Sequence, residues 1–145
     1  MKLPVTLSGT VRSGNRIGRT FDMPTANIVP EEDVSDLTFG VYYSVITIEG
    51  KQYPAITNLG VRPTVSDGGG VNAETFIYDY EDQIYDKRVS VTLLEFRRNE
   101  QRFGSLDDLY VAVKDDFRAG ARFHNLVPSA ERTSPSTTTT CLKDS

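Results

Sequence analysis

The chain has 145 residues, enough for one domain with a single core, and a formal net charge of −4. That acidic balance argues against general nucleic-acid binding, which wants a basic footprint. No apolar run is long enough to cross a bilayer as a helix. The only cysteine is Cys141 and the only histidine is His124, both in the C-terminal segment. One thiol forms no internal disulfide, and two such residues fall short of the ligands a structural zinc usually has. A Ser-His-Asp or Cys-His arrangement within the folded body is disfavoured for the same reason. If the domain does acid–base chemistry, the proton acceptor is expected to be a carboxylate. The N-terminus alternates apolar and polar residues instead of forming the apolar block of a signal peptide, so the expected address is the cytoplasm.

In chain order, Val5, Leu7, Gly9 and Val11 alternate with Thr6, Ser8 and Thr10, the period of a half-buried strand. A Gly- and Arg-rich loop follows, containing Gly14, Arg16, Gly18 and Arg19, and then Pro24, Thr25, Ala26 and Asn27. Residues 30–36 are acidic and apolar-poor, which reads as an exposed loop. Phe39 to Glu49 is rich in β-branched and aromatic residues, and Lys51 to Thr57 returns after Glu49-Gly50, so the pair reads as a hairpin. Asn58 to Thr64 and the glycines at 68–70 mark a further loop. Ala73 to Tyr80 and Arg88 to Phe96 read as two more strands joined by an acidic turn. Some five short strands at close spacing suggest an antiparallel barrel. A single helix is expected from Ser105, a natural N-cap with Asp108 three residues on. Leu106, Leu109, Tyr110, Val113 and Phe117 are spaced for one face of it, and Gly120 can end it. From residue 122 the composition turns to Ser, Thr and Pro, so residues 1–121 read as the domain and 122–145 as a disordered tail.

Four segments could carry chemistry, and each also has a plain structural reading. Gly14 and Gly18 let backbone amides approach a phosphate, with Arg16 and Arg19 supplying charge, or they form a flexible hairpin loop. Thr25 and Asn27, two apart, point the same way in extended backbone and offer hard neutral oxygens to a phosphate-bound Mg²⁺; otherwise they cap a turn. Glu74 is in phase with Phe76, Tyr78 and Tyr80. Partial burial there would raise its pKa and make it a better proton acceptor, whereas a solvated strand edge would leave it inert. Arg97 to Phe103 could stack on a planar ligand or form a solvated connection.

The order of these segments resembles the riboflavin kinase family, including the kinase module of bacterial bifunctional FAD-synthesis enzymes. The resemblance runs from about Gly9 to Phe117. It is carried by the Gly/Arg loop, Pro24-Thr25-Ala26-Asn27, Gly40-Val41-Tyr42, the segment Asn58 to Thr64 with its Arg62-Pro63-Thr64, Ala73-Glu74-Thr75 with Ile77 and Asp79, Tyr85, Arg98 to Phe103, and Ser105-Leu106. The resemblance implies a mainly β fold, a six-stranded antiparallel Greek-key β-barrel with a C-terminal α-helix. It implies transfer of the γ-phosphate of ATP to the 5′-hydroxyl of riboflavin, giving FMN and ADP, with Mg²⁺ assisting. By the same resemblance, Gly14 and Arg19 hold the ATP phosphates, and Thr25 and Asn27 bind the metal and nucleotide. Glu74 is the catalytic base, Ile77, Asp79 and Tyr85 line the nucleotide pocket, and Arg98, Gln101 and Phe103 close over the flavin. Asp22 and Met23 stand where the family usually has Gly and Phe or Ile, Phe76 where it has His, and Asp86 where it has Gly. The expectation is a monomeric enzyme with no nucleic-acid or membrane partner, either standing alone or as the kinase part of a bifunctional protein. The alternatives are an inactive flavin- or nucleotide-binding regulatory module and a small β-barrel RNA- or protein-interaction domain.

Overall fold

The computed structural model describes residues 2–12, 23–61, 70–80, 84 and 86–126. Gly14, Arg19, Asp22, Arg62-Pro63-Thr64, Tyr85 and Cys141 lie outside the described residues. Six strands follow in order: β1 (Val5–Thr10), β2 (Thr25–Ile28), β3 (Gly40–Ile48), β4 (Lys51–Val61), β5 (Val71–Ile77) and β6 (Arg88–Asn99). One helix, α1 (Leu106–Phe123), closes the described chain. Every strand pair is antiparallel, in the order β1-β6-β3-β4-β5-β2. Strands β3, β4 and β5 form a meander, and β6 returns to lie beside β3, which is the Greek-key arrangement. The outer strands meet through the Arg12–Asn27 bridge, where Arg12 N–H donates to Asn27 O at 2.7 Å, so the sheet curls into a half-barrel. The expected fold class holds.

Period-two alternation fills the interior. Leu7, Ile28, Tyr42, Ile46, Leu59, Ile77, Val91 and Leu93 point inward and are almost completely buried. Each such side chain contributes about 1.5–3 kcal/mol on leaving water. The polar residues that also point inward are satisfied by one another. Ser44, Thr57 and Thr75 form a hydroxyl chain across β3, β4 and β5, with both links at 2.8 Å. The β3–β4 hairpin turns through Glu49 and Gly50, both at positive φ (51° and 83°), as a two-residue turn matched to strand twist requires.

Four sequence expectations change. Asn58 to Val61, expected in a loop, extend β4, while Thr25 to Asn27 take the extended one of the two forms open to them, in β2. Strand β5 stops at Ile77, and Tyr80 turns into the barrel core against Tyr53, with ring centroids 4.9 Å apart. Glu74 therefore shares its face with Asn72 and Phe76 but not with Tyr80. Gly120 does not end α1; it is buried within the helix where a Cβ would collide with the Tyr78 hydroxyl. The left-handed residue that follows the helix is Asn125, at φ 65°. Leu106 is exposed and does not join the packed face of α1.

The N-cap is as expected: the Ser105 hydroxyl accepts from Asp108 N–H at 3.1 Å. Asp107 and Asp108 in the first turn and Arg122 in the last complement the helix dipole. Met23, Tyr43, Tyr78 and Phe117 pack with Val41, Ile56 and Phe76 on the outer face of β3–β5. Two polar ties lock the helix there. Tyr78 donates to Phe117 O at 2.7 Å, and a ring nitrogen of His124 bonds Ala55 O at 2.9 Å. Helix α1 thus continues past residue 121, and His124 beyond it still grips the barrel. Among the described residues, no helix is long and apolar enough to cross a membrane.

Candidate active site

Glu74 lies in the middle of β5, on its outer face, and is only 5% exposed. Antiparallel register sets its neighbours: Asn27 of β2 on one side and Asn58 of β4 on the other. Asn72, two residues before Glu74 on the same face, donates from its amide nitrogen to Asn27 Oδ1 at 3.0 Å. A carboxylate flanked by amides is a polar island on a sheet face that is otherwise Val41, Ile56 and Phe76.

That island opens into a cavity of about 260 Å³ between the outer sheet face, α1 and the segment after β6. Its polar lining includes Asn58, Glu74, Arg98 and Gln101, and Phe76 and Phe103 add aromatic faces. Leu109 and Val113 complete the wall from α1. These two helix residues face the cavity, which is why they are only partly buried.

The arginine wall depends on a sheet irregularity. Val41 pairs with Arg98 but Tyr42 pairs with Phe96, so Arg97 is an extra residue in β6. Consecutive strand residues normally point to opposite faces; the bulge lets both arginines reach α1. Arg98 binds Asp116 through Nε and Nη2 at 2.9 and 2.6 Å, and Arg97 Nε joins the same carboxylate at 2.8 Å. Arg97 also bonds Asp115 at 2.8 Å and the Tyr43 hydroxyl at 3.3 Å. Burial, helped by the nearby negative charge of Asp116, pushes the Tyr78 hydroxyl far above its ordinary pKa, so it serves as a neutral donor to Phe117.

Of the residues singled out from sequence, Glu74, Arg98, Gln101 and Phe103 come together in this cavity. Thr25 and Asn27 lie beside it on β2, opposite Phe76 and Glu74. Ile77 points the other way, into the barrel core, and is 1% exposed; its backbone N–H donates to Pro24 O at 3.0 Å. Asp79 is exposed in the turn after β5 at φ 62°. Gly14, Arg19 and Tyr85 are outside the described residues. Sequence reasoning missed Asn58, Asn72 and Asp116. Register could have found the first, but no spacing signal links Asp116 to Arg98. Two of the unusual residues have clear settings. Phe76 packs on Phe117, centroids 5.0 Å apart, and anchors the cavity floor to the helix. Asp86 adopts φ 68°, a conformation that glycine takes freely and aspartate tolerates better than most residues.

The hydroxyl of Thr25 and the amide oxygen of Asn27 form a neutral, hard donor set, which suits Mg²⁺ carried by substrate phosphates. Among the described residues, no group of three or more His, Cys, Asp or Glu could hold a metal ion.

Comparison with known proteins gives a consistent result. The riboflavin kinase (Flavokinase) family profile matches residues 1–124. The bifunctional riboflavin kinase/FMN adenylyltransferase of Pseudomonas fluorescens is 36% identical over 129 residues, covering 89% of this chain and 40% of that protein. The chain thus spans about two-fifths of the length of that relative. A Streptococcus pneumoniae structure described as a macrolide-efflux protein superposes with TM-score 0.66 at 31% identity, over 81% of this chain and 38% of that one. Riboflavin kinase from Trypanosoma brucei shares the fold, with TM-score 0.55 at 21% identity over 92% of both chains. With the family's profile matched along nearly all of the described residues, and its expected base buried beside its expected metal ligands, this chain belongs to the riboflavin kinase family.

Proposed function

We propose that the chain catalyses transfer of the γ-phosphate of ATP to the 5′-hydroxyl of riboflavin, producing FMN and ADP. The observation that carries this reading is the buried Glu74, set in the floor of the cavity walled by Arg98, Gln101 and Phe103 and paired in register with Asn27. In the proposed reaction Glu74 accepts the hydroxyl proton as the oxygen attacks the γ-phosphorus. The bond from that phosphorus to the bridging oxygen breaks, and ADP leaves. Phosphoryl transfer asks the protein mainly for positioning and charge stabilisation, so no covalent intermediate is needed.

Thr25 and Asn27 would hold Mg²⁺ together with the nucleotide phosphates, and the ion would neutralise charge on them. Gly14 and Arg19 are assigned to the phosphates, and Asp79 and Tyr85 to the nucleotide pocket; Ile77, whose side chain is in the core, could serve that pocket only through its backbone. Arg98, Gln101 and Phe103 are assigned to the flavin. Water exclusion falls to Phe76, Phe103, Leu109 and Val113, the apolar part of a wall that also carries Glu74, Glu100 and Asp116. We read the protein as a cytoplasmic monomer.

The test is to incubate the protein with riboflavin, ATP and MgCl2 and to separate the flavins by chromatography. FMN formation supports the proposal. Riboflavin binding without FMN points to an inactive flavin-binding module, and salt-sensitive RNA binding without flavin affinity to an interaction domain. Either of these overturns the enzymatic reading.

A further inference from the structure

We infer that Asp116 is a positioning residue that turns Arg98 into a flat platform for a planar ring, instead of a hook for anions. The inference rests on the reading of the cavity as a flavin site. Its physical basis is the way the Arg98 guanidinium is already used. Nε and Nη2 grip the two oxygens of Asp116 at 2.9 and 2.6 Å, and Nη1 donates to Asn99 O at 3.1 Å. Each nitrogen is thus engaged, and three of the five N–H groups are spent within the protein. What such a fork presents to a ligand is its plane, and a guanidinium plane stacks well on a flat π-system.

Asp116 is suited to the task by its surroundings. Its side chain is 7% exposed and receives Arg97 as well as Arg98, while Asp115 takes a second contact from Arg97. Two cations and two carboxylates balance locally, so the buried charge is compensated. Helix α1 holds the carboxylate still: Phe117, the next residue, is fixed by Tyr78. A long arginine side chain would otherwise lose much rotamer freedom on meeting its ligand; Asp116 removes that cost in advance.

The experiment measures riboflavin binding by flavin fluorescence quenching, with melting temperature and Mg-ATP binding alongside, in the full chain. Asp116→Asn is expected to weaken riboflavin binding roughly tenfold, as for the loss of a charge-assisted pair, with Mg-ATP affinity within about twofold of wild type. Asp115→Asn, which leaves the Arg98 grip intact, is expected to bind riboflavin like wild type. Adding Asp116→Asn to Arg98→Ala is expected to cost nothing beyond Arg98→Ala alone. Arg98→Lys keeps the charge without the plane, so it is expected to lose affinity like Arg98→Ala. Wild-type binding by Arg98→Lys, or additive losses in the double variant, would overturn the inference. An independent readout is the Arg98 Nε–H resonance in ¹⁵N NMR, expected to be sharp in wild type and lost in Asp116→Asn. Its persistence in that variant also overturns the inference. A wild-type protein that neither binds riboflavin nor makes FMN instead refutes the flavin reading of the cavity, while the Nε–H resonance still decides whether Asp116 fixes Arg98.

Discussion

Asn27 of β2 sits directly across the antiparallel ladder from Glu74 of β5, and Asn72 steadies it through a 3.0 Å amide contact. The proposed metal ligand and the proposed base are therefore held in place by backbone register. A one-residue slip of β2 would turn Thr25 and Asn27 into the barrel and Ala26 and Ile28 out to the site. The buried Ala26 and Ile28 forbid that slip, so core packing sets the geometry of the site.

Glu74→Gln keeps the side chain's size and removes its capacity to accept a proton. The expected outcome is a fall in kcat of about 10²–10⁴-fold with riboflavin affinity nearly unchanged. Steady-state kinetics and a matched melting temperature check this. A variant within about twofold of wild type, worth only a few tenths of a kcal/mol, would remove Glu74 from the chemistry.

Thr25→Ala and Asn27→Ala are expected to raise KM for Mg-ATP, with partial recovery as Mg²⁺ is raised. A magnesium titration at fixed ATP reads this out. Wild-type kinetics throughout the titration would mean that these oxygens do not serve the metal.

Gly120→Ala sets two effects in opposition. Alanine is favoured over glycine inside a helix by about 1 kcal/mol. The new methyl group meets the Tyr78 hydroxyl, however, and overpacking of this kind costs about 1–3 kcal/mol. Urea unfolding is expected to show net destabilisation, with part of it recovered when Tyr78→Phe is added. Unchanged or increased stability in the single variant would show that the helix shifts freely.

His124 links the end of α1 to β4, and burial lowers its pKa from the ordinary 6.5, partly opposed by its bond to Ala55 O. The folded state therefore binds this proton less readily than the unfolded chain does. Stability from this site is present above about 6.5 and is lost as pH falls below it through the folded pKa. Melting temperature is expected to drop more steeply below pH 6.5 in wild type than in His124→Gln. Parallel curves would mean that His124 contributes no pH dependence.

Much of the site was legible because its residues belong to short contiguous segments. Pro24 to Asn27, Glu74 and Arg98 to Phe103 each carry a recognisable pattern, and the cavity joins Glu74 with Arg98, Gln101 and Phe103. Ile77 shows the limit of that approach: being near Glu74 in sequence does not tell which face a side chain takes, and this one faces the core. Tyr80 shows it again, because the strand ended three residues earlier than its period-two pattern suggested.

Alternation and composition by themselves determined five of the six strands and the N-cap at Ser105, while the candidate base came from the family resemblance. Strands and cap are local properties, fixed by which side chains must leave water and which backbone groups need partners. Only the tertiary structure decided that Asn27, Glu74 and Asn58 lie abreast, that a bulge at Arg97 sends two consecutive arginines to one carboxylate, and that Gly120 is a contact point and not a terminus. Each of those depends on register or close approach between segments far apart in the chain, and the energy that selects them arises only once the barrel and its helix have packed.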